Sequence, residues 1–124
     1  MRLWHENLLP KLPRQQLLGQ HRECCALRGN GWGKKHATVN YVFQHSPYKL
    51  YLYHMKVINE MKRRGYQNDV LWEDPHYRGK TCPPFSDASL KNKHKSPSNP
   101  IYPEHDQQYL QACIKNLAEK RISL

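Results

Sequence analysis

Between Pro47 and Gly65 the side chains divide at helical period: Pro47, Leu50, Tyr51, His54, Val57, Ile58 and Met61 line one stripe, and Lys49, Lys56, Glu60 and Arg63 line the other. Proline suits the first helical position and glycine the position just past the last, so a helix is predicted from Pro47 to Arg64 with its apolar stripe turned to a core. Two further segments follow the same period. From Arg14 to Arg28, Leu17, Leu18, His21, Cys24 and Cys25 fall on one arc and Gln15, Gly19, Arg22, Glu23 and Ala26 on the opposite one. Gly29, Gly31 and Gly33 then break the helix. From Asp106 to Arg121, Leu110, Cys113, Ile114 and Leu117 share a face. The opening Met1 to Pro13 is expected to be extended, because Pro10 and Pro13 restrict the residues before them. Tyr66 to His105 reads as loop, being interrupted by six prolines and polar from Lys91 to Asn99. No segment alternates convincingly at period two. The expectation is an all-α fold, a compact three-helix single domain spanning 1–124 with long irregular loops.

The 124 residues carry a formal charge of +10, spread along the chain, which makes a polyanion the natural partner. Nucleic acid is favoured over a membrane surface because no basic helix carries a strong apolar face of Trp, Phe and Leu. No apolar run suits a signal peptide or a membrane span, so the chain is expected to be cytoplasmic, without membrane contact, and a monomer. Cys24, Cys25, Cys82 and Cys113 lack C-x-x-C spacing and read as reduced thiols. The eight histidines form no H-E-x-x-H array and read as scattered. No metal site and no cofactor are expected.

Within this basic chain, Glu23 sits between Arg22 and Arg28 and ahead of the Lys34-Lys35-His36 cluster. A carboxylate in such a setting is either a charge-pairing element or a catalytic group. The Arg22-Glu23 pair, Gln15, Leu17, Lys35-His36, Arg64-Gly65-Tyr66, and Tyr77-Arg78-Gly79 followed by Pro83 occur in an order and spacing that resembles the phage-type endonuclease V pyrimidine-dimer DNA glycosylase and AP lyase family. The resemblance covers most of the chain at low identity, and its specificity lies in the co-linearity of the motifs.

The resemblance implies a repair enzyme on damaged or abasic double-stranded DNA. In the family a free N-terminal α-amine attacks C1′ of the damaged nucleotide, expels the base as a Schiff base forms, and β-elimination then cuts the strand. The family's catalytic glutamate corresponds to Glu23. Gln15, Arg22 and Lys35 correspond to DNA-contacting positions; Arg2, His36 and Lys120 extend the expected nucleic-acid-binding set. The chain departs from the family at its start, where a threonine exposed by methionine removal is replaced by Met1-Arg2. A bulky second residue prevents that removal, so the nucleophile is expected to be the α-amine of Met1. The family's aromatic C-terminal tail has no counterpart before Leu124. Two other readings are a non-catalytic nucleic-acid-binding module on the same scaffold, and a metal-dependent hydrolase using His5, His21, His36 and Glu23.

Overall fold

A computed structural model describes residues 2–34, 38–90 and 100–124. Helix α1 spans Arg14–Arg28, α2 Pro47–Arg63 and α3 Gln107–Glu119, and short 3-10 helices cover Glu6–Lys11, Asn40–Gln44 and Val70–Glu73. No strand occurs among the described residues. The fold is all-α.

The ends of the helices follow from local chemistry. Gly31 N–H donates to the Ala26 carbonyl at 2.8 Å, and a Cβ at residue 31 would lie 2.8 Å from that same oxygen. Only glycine allows so close a return of the chain. Ser46 caps α2 by accepting from Tyr48 N–H at 3.1 Å, with Pro47 in the first turn. Gly65, at φ +84, lets its own N–H reach Lys62 and that of Tyr66 reach Met61, both at 2.9 Å. Asp106 caps α3 through Tyr109 N–H at 2.8 Å.

Helices α1 and α2 pack on each other, and α2 also covers the two 3-10 helices at Glu6–Lys11 and Asn40–Gln44. Leu17, Cys24 and Leu27 of α1 meet Leu50, Tyr53, Val57 and Met61 of α2 in one core, which Cys113 and Leu117 of α3 join. Burial of each large apolar side chain there contributes about 1.5–3 kcal/mol.

Four expectations are corrected. The opening segment is not extended throughout: Glu6–Lys11 coils into a 3-10 helix, because His5 Nδ1 accepts from Asn7 N–H at 3.1 Å and Leu8 and Leu9 turn into the core. Glu60, on the stripe opposite the apolar one, is nonetheless buried, because Arg63 and Arg64 hydrogen-bond its carboxylate; Arg64 Nε lies 2.7 Å away. Ile114 stays exposed, since α3 turns only Cys113 and Leu117 fully inward. The stretch from Tyr66 contains the 3-10 helix at Val70–Glu73 and buries Phe85, Leu90, Ile101, Tyr102 and His105. Part of what tethers its far end is Glu6, whose Oε2 accepts the Ile101 N–H at 3.0 Å.

Candidate active site

Gln20 organises the face of α1 that meets the N-terminal segment. Its Oε1 accepts from Trp4 N–H at 2.6 Å, and its Nε2 donates to Arg2 O at 3.0 Å and to Glu23 Oε2 at 3.1 Å. The Tyr53 hydroxyl lies 2.8 Å from Gln20 Oε1 and 2.6 Å from Trp4 O, so its single proton is shared between two acceptors. A side-chain amide offers two N–H donors and one oxygen, and here all are engaged. The network is buried at Gln20 and Tyr53 and emerges at Glu23, which is half-buried.

Glu23 Oε2 also accepts the Arg2 backbone N–H at 3.3 Å. The first turns of the chain are thus fastened to the carboxylate that the sequence singled out. The fastening extends to α3: Tyr109 O–H donates to Leu3 O at 2.5 Å, and the Arg2 guanidinium lies 5.8 Å from the Tyr109 ring centre and 5.9 Å from that of Trp4. Lys120 Nζ stands 5.4 Å from the same Trp4 ring. Arg2, Glu23 and Lys120 therefore come to one end of the molecule. Such spacings allow cation–π attraction and leave the cationic heads able to meet phosphate.

Arg22 is exposed, and one of its terminal nitrogens lies 3.7 Å from where a Gly19 Cβ would be, so the guanidinium folds back over a part of α1 without a side chain. Gln15 is exposed and lines a shallow cavity of about 670 Å³ with Arg14, Lys120 and Arg121. Met1, Lys35 and His36 lie outside the described residues. Among the aromatic side chains, Trp4 is buried, while Trp72 and Tyr77 pack edge-to-face on each other at 4.8 Å. Trp32 is half-buried and, with Phe43, Phe85 and Arg78, lines a cavity of about 630 Å³.

Gln20 escaped the sequence reading. Its signal was available: it is three residues after Leu17 and four before Cys24, on the buried arc, where a polar side chain needs a partner. The histidines read as scattered also contain a cluster, with His21 Nδ1 2.8 Å from His54 Nε2 and Cys25 within 4.0 Å of both rings. Of the four residues of the metal-dependent hydrolase reading, His36 lies outside the described residues, His5 and Glu23 take part in other contacts, and His21 joins this cluster.

A family model described as pyrimidine dimer DNA glycosylase matches residues 1–74, which hold the N-terminal segment, α1 and α2 with the Gln20–Glu23 network between them. The chain belongs to the pyrimidine dimer DNA glycosylase family. No curated protein and no solved structure matches it. Membership carries the coarse role of the family, a DNA glycosylase whose substrate is DNA. No helix among the described residues is long and apolar enough to cross a membrane.

Proposed function

We propose that the protein acts on damaged double-stranded DNA as an N-glycosylase and AP lyase, with the α-amine of Met1 as nucleophile and Glu23 as the catalytic carboxylate. The observation that carries this reading is the 3.3 Å contact from Arg2 N–H to Glu23 Oε2. Covalent geometry alone keeps the α-amine of residue 1 within about 3.6 Å of the Arg2 nitrogen. An α-amine has an ordinary pKa of about 8, so a neutral, nucleophilic fraction is present near neutral pH.

In the proposed reaction the amine nitrogen bonds to C1′ as the glycosidic bond breaks, and the base leaves with a proton. Ring opening gives the protonated imine. Removal of a C2′ proton then expels the 3′ phosphate by cleavage of the C3′–O bond. Glu23 stabilises the positive charge that develops on the sugar and the imine, and it accepts and returns protons during these steps. Gln20 holds the carboxylate in place from its buried side. Arg2, Gln15, Arg22, Lys35, His36 and Lys120 neutralise or hydrogen-bond the phosphates while a nucleotide is turned out of the stack. The working unit is one domain, 1–124, acting as a monomer.

The test compares the native protein with Glu23→Gln on a duplex carrying an abasic site. Binding is expected to persist in the variant while strand cleavage is lost. Equal cleavage by both proteins removes Glu23 from the mechanism, and salt-sensitive binding without cleavage by either identifies a binding module on this scaffold.

A further inference from the structure

The cluster on the other side of α1 has no part in the proposed chemistry. His21 and Cys25 are one helical turn apart on α1, and His54 faces them from α2. One potential ligand atom from each lies within 4.8 Å of the other two. His54 is buried, whereas His21 and Cys25 are half-buried, so the cluster has a floor inside the protein and an opening toward solvent.

The hydrogen bonds assign the protons. Arg28 Nη1 lies 3.0 Å from His54 Nδ1, and a guanidinium can only donate, so the His54 ring proton sits on Nε2. From there it is donated to His21 Nδ1 at 2.8 Å. The second nitrogen of His21 lies 3.8 Å from Cys25 Sγ, which is 4.0 Å from His54 Nε2. Two imidazoles and a thiol are thus held together by shared protons. Imidazole nitrogen and cysteine sulfur are the ligands that a borderline-soft cation takes.

We propose that His21, Cys25 and His54 form a zinc site, with a fourth position open to solvent. Two imidazole nitrogens and one thiolate suit the tetrahedral preference of Zn²⁺, and the sulfur-to-nitrogen separations of 3.8 and 4.0 Å are close to the edge of a zinc tetrahedron. With Nε2 of each imidazole as the ligand, binding sends the Cys25 proton to solvent and moves both ring protons from Nε2 to Nδ1. The shift on His54 displaces Arg28 from that ring. Arg28 keeps its hydrogen bonds to the Trp72, Asp74 and Tyr77 carbonyls, at 2.7, 2.6 and 2.9 Å. Arg22 and Arg28 oppose a cation, and the Cys25 thiolate offsets part of that charge. The bound metal would join α1 to α2 without touching the Gln20–Glu23 face.

The experiment strips the full-length protein with chelator and titrates it with Zn²⁺ and, separately, Co²⁺. The expected result is one metal per chain, proton release on binding, and a near-ultraviolet thiolate-to-cobalt band. Cys25→Ser should lose the band and bind Zn²⁺ more than about tenfold more weakly, while Cys82→Ser keeps both properties. His54→Asn weakens binding similarly; should this buried substitution prevent folding, the half-buried Cys25→Ser still decides the matter. A chain that takes up no metal, or a cobalt band that survives Cys25→Ser, overturns the site.

Discussion

Helix α1 carries a polar network on each of two faces, and the two are built to different ends. Toward the N-terminal segment, Gln20 spends all its hydrogen-bonding capacity inside the protein and leads outward to a half-buried carboxylate. Toward α2 and the 3-10 helix at Val70–Glu73, the network runs inward from His21 and ends on Arg28, which is 1 % exposed and held by three carbonyls. The first ends in a charge at a surface rich in cations. The second ends in a charge that cannot leave. A helix can therefore present chemistry on one side while the other holds it rigidly in place.

The comparison breaks most directly through a pair of substitutions with opposite expected effects. Glu23→Gln should lower cleavage of an abasic duplex by about 10²–10⁴-fold, the range for a positioned acid–base group, and leave the unfolding midpoint in denaturant nearly unchanged. Arg28→Lys keeps the charge but loses the planar fork that serves several acceptors at once. It should cost roughly 3–5 kcal/mol in equilibrium unfolding, because the carbonyls gathered round the buried guanidinium lose their donors. If Arg28→Lys is as stable as the native protein, the inner network is not what holds the loop against α1.

Acid offers a milder probe of the N-terminal side. His105 stacks on Tyr109 at 4.9 Å and on His5 at 5.6 Å, and its Nε2 lies 2.6 Å from the Tyr41 hydroxyl. Burial, then the neighbouring His5, holds its pKa down at about 4, despite Glu104 and Asp106 nearby. The unfolded chain takes up this proton below about 6.5 and the folded chain does not. Stability from this group is therefore complete above about pH 6.5 and falls as pH drops toward 4, by on the order of 3 kcal/mol at most. Denaturant unfolding measured across that range should show the loss in the native protein and a shallower slope in His105→Phe. The smallest expected effect is that of Lys120→Ala, which removes one cation beside Trp4. It should weaken duplex binding about equally for all sequences and reduce the slope of log affinity against log salt by about 0.9.

Much of this fold was legible in the sequence because its helices are punctuated by residues with fixed backbone demands. Pro13 and the glycines from Gly29 bracket α1, and Pro47 and Gly65 bracket α2, so the predicted and observed limits nearly coincide. The 3-10 helices were not legible, since segments of four to six residues show too little periodicity, and the first two depend on burial of Leu8, Leu9 or Val42 against distant elements. Glu23 stood out as a carboxylate among cations. Gln20 and Arg28 did not, because a polar side chain on a helix reads as solvated until a partner from elsewhere in the chain is seen. Trp4, Tyr53 and the carbonyls near Trp72 supply those partners from 16 to 49 residues away.

The central claim, an N-terminal amine working beside Glu23, is tested most directly by borohydride trapping on a duplex with an abasic site. The account predicts a covalent protein–DNA adduct, mapped by peptide mass to the α-amine of residue 1 and absent when that amine is blocked. No adduct with the native protein, or one undiminished after the N-terminus is blocked, would contradict it.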